Sequence, residues 1–315
     1  MIVFLTGTTS YLGEAVLRKL LSEGHKVRAL LPPDEDVSHL SALQFERIPG
    51  TLSTIEAIRQ GMPGAHVVFH LDQADQPCRK DKDAYYKANV IGTKNVLSLA
   101  SRYKVDRVIV GGGVEVAGRL KTPYATTRAK GIEAAFKLNF EVFTKKMEVL
   151  ALHPGVLVGP QDRRPSPFGK VLLDYLQGKL SWLPCGGVPL VDVEDAAQAV
   201  VLSADRGIPG SDYMLINEYV PLASVFSVLN GITGRKEGPR FLPGPVVKAL
   251  SCLRAAPIPS NLVKLFTFSS RRLPDGLSDR QVLRLPPYRP LEESLARAVE
   301  WWVEAGMVTR QQAYY

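Results

Sequence analysis

The chain opens Met1-Ile2-Val3-Phe4-Leu5-Thr6-Gly7-Thr8-Thr9-Ser10-Tyr11-Leu12-Gly13, and this stretch decides the fold. Ile2 to Thr6 is a short apolar run of the kind that forms a buried strand. A glycine-bounded turn follows. From about Tyr11 to Ser22 the apolar residues Leu12, Ala15, Val16 and Leu20 recur at helical spacing. In a strand–turn–helix unit of this type the first glycine permits the tight turn. The second lets the backbone approach a pyrophosphate, and the third lets helix and strand pack closely. The helix N-terminus then holds the anion with its N–H groups and dipole. The spacing here is G-x-x-S-x-x-G, with Ser10 in the middle place. Thr8 and Thr9 read equally as phosphate donors or as helix caps.

Working outward, strand and helix patterns alternate. Strands are expected at His25 to Leu31, Phe45 to Ile48, Val67 to Leu71, Val105 to Val110 and Met147 to Leu152. Helices are expected at about Thr54 to Gln60, Asp83 to Tyr103 and Tyr124 to Leu138. Such alternation implies an α/β fold with a Rossmann-type doubly wound parallel sheet, covered on both faces. After His153, which reads as a loop residue, prolines and glycines punctuate the chain. A helix near Asp192 to Ser203 and a strand at Tyr213 to Ile216 rejoin the sheet. The expected organisation is a dinucleotide-binding domain over 1–152, rejoined by about 189–218. Residues 153–188 and 219–315 then form a smaller, mainly helical lobe around the substrate. It ends in an amphipathic helix from about Leu291 to Ala305, whose Trp301 and Trp302 read as core.

Composition narrows the function classes. The 315 residues are 45% hydrophobic and 22% charged, as in an ordinary globular protein. No apolar run approaches the ~18 residues of a membrane-spanning helix, and Met1 leads straight into the first strand. The three cysteines are scattered, which argues against a disulfide framework and suits a cytoplasmic protein. The five histidines show no ligand spacing, so no metal site is expected. The net charge of +8 is uneven: Thr233 to Pro290 hold eleven basic and three acidic residues, the whole excess. Two readings stay open for this lobe, a solvated basic surface or contact with an anionic membrane or acidic partner. The spaced charges do not suggest nucleic acid. Leu242 to Phe268, where Val246, Val247, Leu250, Leu253, Leu262, Val263 and Phe266 stand beside Lys248, Arg254 and Lys264, reads as a cleft-lining helix or a membrane-facing one.

Six stretches together resemble one family: TGTTSYLGEAVLRKLLSEGHKVRAL, VVFHL, YYKANVIGTKNVLSLA, RVIVGGGVEVAG, PYATTRAK and LHPGVLVGPQDRRPSPFGKVLLDYLQGK. They resemble the extended short-chain dehydrogenase/reductases, also called the NAD-dependent epimerase/dehydratase family, in particular its dihydroflavonol-reductase-like members and hopanoid-associated sugar epimerases. The resemblance implies NAD or NADP as cofactor. It implies a cofactor set of Gly7, Thr8, Thr9, Ser10, Tyr11, Leu12, Gly13, Leu71, Asn89, Gly111, Pro154 and Gly155. It also implies a catalytic tyrosine at Tyr124, with Arg128 in the place of the family's lysine. That cation lowers the tyrosine's pKa from its free value near ~10 so that it can transfer a proton. The implied substrate is a small molecule bearing a hydroxyl or ketone, such as a nucleotide-sugar or polycyclic alcohol. A homodimer is left open.

The departures from the family pattern cluster at the chemistry. Ser10 replaces the central glycine. Leu31 and Pro32 stand where an acid or arginine chooses between NAD and NADP, and Thr51 stands for an adenine-side aspartate. Asp72 and Gln73 replace two alanines. Gly113 replaces the hydroxyl residue that orients the substrate, leaving the backbone N–H groups of Gly111 to Gly113 as its expected stand-ins. Arg128 is planar and permanently charged, so it is no conservative exchange for lysine. Tyr124 reads as an acid–base group or simply as the start of a helix. The glycine run reads as a loosened strand end or as room for a larger substrate. Arg163, Arg164 and Ser166 read as facing the substrate cleft or as an ordinary turn. A non-catalytic scaffold, assembly factor or ligand sensor is the alternative to an oxidoreductase or epimerase.

Overall fold

The computed structural model describes residues 1–71, 82–141, 147–244, 246–247, 260–267 and 276–314. Seven strands form one all-parallel sheet: β1 (Ile2–Thr6), β2 (Lys26–Leu31), β3 (Glu46–Pro49), β4 (Val67–His70), β5 (Arg107–Gly111), β6 (Glu148–Pro154) and, later in the chain, Asp212–Leu215. Their order across the sheet is the last-named strand, then β6, β5, β4, β1, β2 and β3. The chain therefore reverses direction of travel between β1 and β4. A crevice opens outside the strand carboxyl ends at such a switch point.

Strand residues alternate between two cores, as period-two side chains must. Val3, Leu5, Val67, Phe69, Ile109, Leu150 and Leu152 face one cluster, which α1 (Tyr11–Ser22) closes with Leu12, Val16 and Leu20. Phe4, Val68, Val108, Val110, Val149 and Ala151 face the other, under α2 (Ile55–Gly61) and a long helical run. The run expected at Asp83 to Tyr103 is built as α3 (Lys82–Tyr86), a π turn over Lys87–Gly92 and α4 (Thr93–Arg102).

Two short helices follow β5: α5 (Val114–Ala117) and the start of α6 (Pro123–Glu141). His153 lies inside β6 and is buried, which corrects the loop reading; parallel pairing with Asp212–Leu215 carries the strand through to Pro154. The lobe carries its own sheet of Val156–Val158, Gly187–Asp192 and Glu218–Pro221, and a third core. Trp301 and Trp302 are buried in that core, on the helix Leu291–Glu304. Of the segment Leu242 to Phe268, the described Val247, Leu262, Leu265 and Phe266 are buried and face inward; Leu250, Leu253, Lys248 and Arg254 lie outside the described residues, as do Asp72 and Gln73. Among the described residues no helix is long and apolar enough to cross a membrane.

Candidate functional site

A cavity of about 890 Å³ lies at the switch point. One end is bounded by Leu30, Pro32, Glu35 and Thr51, and its floor by Gly7, Thr9, Ser10, Tyr11 and Leu12. The far end holds Gly112, Gly113, Glu115, Tyr124, Pro154 and Gly155 beneath Phe168, Leu262 and Leu265. The chain thus brings together Gly7, Thr9, Ser10, Tyr11, Leu12, Tyr124, Pro154 and Gly155 in the wall of one cavity. Thr8, Gly13, Leu71, Asn89, Gly111 and Arg128 are not in that wall but packed behind it. Gly13 and Gly111, which the resemblance puts in the cofactor set, are thus not among the residues that line the cavity.

The turn after β1 explains its own serine. Gly7 has φ +80°, a conformation that favours glycine. A Cβ at Gly13 would stand 1.9 Å from Gly7 O, so no larger residue fits there. Ser10 caps α1: its Oγ donates to Gly7 O at 2.7 Å and accepts from Gly13 N–H at 3.1 Å. Ser10, not Thr8 or Thr9, is therefore the cap, and its hydroxyl is spent inside the turn. The Tyr11 hydroxyl donates to Gly159 O at 2.7 Å and ties the turn to the lobe.

Behind the far end runs a buried polar chain. His70 Nδ1 and Nε2 stand 2.8 and 2.9 Å from the hydroxyls of Thr6 and Thr93. Burial, with Arg128 nearby, drives its pKa down to about 3, so the ring is neutral. Thr93 Oγ1 donates to Asn89 O, and Asn89 Nδ2 donates to Thr127 Oγ1 at 3.0 Å. Thr127 in turn donates to Pro123 O at 2.8 Å. The π turn places Asn89 for this contact, and the chain fixes the register of α6 and so the position of Tyr124. Tyr124 is nearly buried, with its ring edge-on to Tyr85 at 6.0 Å. Arg128 is completely buried, and its guanidinium donates to Gly111 O.

The glycine run divides by position. A Cβ at Gly112 would stand 2.3 Å from His153 Nδ1, so this glycine is required by the ring beside it. At Gly113 the backbone is extended (φ 174°), and among the described residues a Cβ would meet only Glu115 Oε2, at 3.0 Å. The amides expected as substrate donors are engaged elsewhere: Gly112 N–H donates to Leu152 O at 2.6 Å and Gly113 N–H to His153 Nδ1 at 3.4 Å. That corrects the expectation that they replace the missing hydroxyl.

Sequence reasoning missed two acids in this cavity. Glu35 lies four residues beyond the end of β2; its Oε1 pairs with Arg164 at 3.2 Å, while Oε2 is buried without a hydrogen-bond partner among the described residues. Glu115 follows Gly113 by two, and burial pushes its carboxyl above the ordinary carboxylate value. Only their places just after the two substituted positions, Glu35 in a loop and Glu115 on α5, hinted at either. Arg163 packs over Trp301 and approaches Glu14 at 3.6 Å, so neither arginine is merely solvated. Ser166 caps α7 (Pro167–Leu176), accepting from Gly169 N–H at 3.1 Å. Among the described residues no cluster could hold a metal ion.

This geometry has relatives. A Synechocystis protein named for dihydroflavonol 4-reductase is 28% identical over 98% of this chain and 96% of its own length. Sterol demethylase protein B of Methylococcus capsulatus is 26% identical over 98% of this chain and 100% of its own. The fold is that of the Thermotoga maritima UDP-glucose 4-epimerase solved with UDP-glucose, at TM-score 0.78 and 17% identity, covering 97% and 99% of the two chains. Residues 3–215 match the family model described as NAD dependent epimerase/dehydratase, and the chain belongs to that family.

Proposed function

We propose that this protein is an NAD-dependent oxidoreductase acting on an apolar, ring-bearing ketone or alcohol. The observation that carries the reading is the cavity's far end, where Tyr124 meets a wall of Val114, Leu120, Val156, Leu157, Phe168 and Leu265. An apolar wall suits a sterol-like ring system, because each apolar Å² removed from water contributes ~25 cal/mol. A sugar diphosphate would instead need anion partners. Among the described residues the cavity's cations are Lys87 and Arg164, and Arg164 is already paired with Glu35 at the other end. The kinship with a sterol demethylase protein supports the same substrate class.

The residues present fit a dinucleotide. The turn from Gly7 to Leu12 and the N-terminus of α1 would hold the pyrophosphate. The unpartnered Glu35 Oε2 would accept from a ribose hydroxyl, taking the place of the acid absent at Leu31 and Pro32. A carboxylate there repels a 2′-phosphate, so the reading specifies NAD over NADP. Bound, the cofactor supplies or takes up the reducing equivalent. Tyr124 supplies the proton at its phenol oxygen, held in place by Tyr85 and the Asn89–Thr127 contact. Arg128, one helical turn on from Tyr124, would place a buried, permanent positive charge behind the site.

Calorimetry with NADH and NADPH tests the cofactor half. NADH should bind about tenfold tighter or better, ~1.4 kcal/mol, and Glu35→Ala should shrink that gap. Turnover of a 3-oxosteroid with NADH tests the rest: Tyr124→Phe should lower kcat about a hundredfold. A Tyr124→Phe variant that turns over at the wild-type rate removes the reading.

A further inference from the structure

The position of the family's orienting hydroxyl is Gly113; of the hydroxyl residues that line the cavity, Thr122 and Ser166 cap helices by accepting from Ala125 N–H and Gly169 N–H, and the glycine amides nearest Tyr124 are committed to Leu152 and His153. What occupies the vacated space is a carboxyl group. The nearest atom to a Cβ built on Gly113 is Glu115 Oε2, at 3.0 Å. Among the described residues nothing else is within contact distance of that point, and the backbone of Gly113 is extended, so no backbone strain demands glycine there and the one close contact is with the end of a flexible side chain. Glu115 and Tyr124 line the same cavity end. Gly112, by contrast, is explained wholly by the His153 ring.

We infer that Glu115, folded back from α5 into the space left by Gly113, is the substrate-orienting residue, its protonated carboxyl donating a hydrogen bond to the substrate carbonyl oxygen. The assignment rests on the oxidoreductase reading above. In the direction of reduction the carbon–oxygen π bond breaks. A C–H bond forms with the hydrogen and electron pair held by the reduced dinucleotide, and an O–H bond forms with the proton of Tyr124. Glu115 keeps its proton and lowers the barrier by stabilising the charge that develops on oxygen. Burial already favours the protonated form, and an apolar substrate that expels water favours it further. Of the titratable groups on the elements packed against α5, the buried ones are Tyr124 and Arg128 on α6 and His153 on β6, the last with Asp212 3.7 Å behind it; Lys130, Glu133 and Lys137 on α6 are not buried, and Glu148 stands at the far end of β6. Arg119 and Lys121 follow α5 on the exposed loop.

The test is steady-state reduction of a 3-oxosteroid by NADH, with kcat and KM measured from pH 5 to 9. Glu115→Ala should lower kcat about a hundredfold, the scale of one lost oxyanion donor, with KM changed far less. Glu115→Gln, whose amide donates at every pH, should keep roughly a third of the turnover and lose the alkaline decline that Glu115 imposes as it ionises. Gly113→Ser placed in the Glu115→Ala chain should recover at least about tenfold, because serine restores the donor at the position the carboxyl filled. Tyr124→Phe separates the two failures. If it is inactive while Glu115→Ala turns over at the wild-type rate, or while Gly113→Ser gives no recovery, the Glu115 assignment is overturned alone. If Tyr124→Phe is fully active, the oxidoreductase reading is overturned and the assignment falls with it.

Discussion

At the scale of single residues, the buried imidazole of His70 makes a prediction about pH. Its folded pKa of about 3 lies below the ordinary value near ~6.5. The unfolded chain therefore binds a proton that the folded chain refuses, and stability is lost as pH falls below about 6.5. At pH 5 the loss is about 2 kcal/mol from this residue. Urea denaturation at pH 7 and pH 5 should show that difference, and His70→Gln, which cannot charge, should flatten it; an unchanged difference in the variant removes His70 as its source. The sequence concealed this group, because a histidine in Val-Val-Phe-His-Leu carries no mark of the two threonine hydroxyls that reach it from β1 and α4. It concealed the division of the glycines too. Gly111, Gly112 and Gly113 are identical letters, yet a ring 41 residues away demands one, while a carboxyl two residues away fills the room beside another. Gly7 and Gly13 were legible, since a tight turn and a close helix–strand approach are local requirements.

Among elements, those with strong local periodicity were legible to within a residue or two. Strand β1 and helix α1 run over Ile2–Thr6 and Tyr11–Ser22, as their patterns require. The π turn was not, because its cause is the Asn89–Thr127 contact with a helix 38 residues away. Loops were the least legible. Pro32 and Leu31 spoke against an acid at the end of β2, and the loop beyond them returns Glu35 to the cavity wall. There Glu35 meets Arg164, reaching from the loop before α7, and the pair bridges the nucleotide-binding half and the lobe. Both side chains are partly exposed, so the ion pair contributes at most about 1 kcal/mol. Arg164→Ala should therefore speed NADH dissociation by only about threefold, measured by stopped-flow fluorescence. A change beyond about thirtyfold would mean that Arg164 contacts the cofactor itself.

For the whole molecule, parallel strands that bury both faces gave an unambiguous α/β reading, whereas the return of Asp212–Leu215 to the sheet beside β6 depended on weaker signals. The most heavily bonded part of the joint between sheet and lobe could not be read, since it centres on Arg289, which the sequence leaves among solvated basics. Arg289 stands 2.6 Å from Asp195, 3.3 Å from Asp192 and 3.2 Å from Glu194, all at the start of the helix Val193–Arg206 that covers the sheet. Its backbone N–H also donates to Asp195, and its side chain reaches Glu293 on the lobe helix Leu291–Glu304. Arg297 from that helix adds a bond to Glu194 at 2.8 Å. Asp192 is wholly buried and Asp195 nearly so. Burial pushes the Asp195 carboxyl up, and its contacts with Arg289 pull it back. Removing the cation leaves two buried carboxylates short of their partner, a change that costs more than the pair itself contributes. Arg289→Ala should therefore destabilise the fold by roughly 2–3 kcal/mol, less than for a fully desolvated pair because the guanidinium keeps some contact with water. That corresponds to a fall in Tm of about 3–5 °C at neutral pH. Arg289→Lys should recover only part of it, because a point charge cannot address three carboxylates as a planar fork does. A thermal-shift series in which the alanine variant melts with the wild type would show that packing of Trp301, Trp302 and Leu295 alone holds the lobe to the sheet.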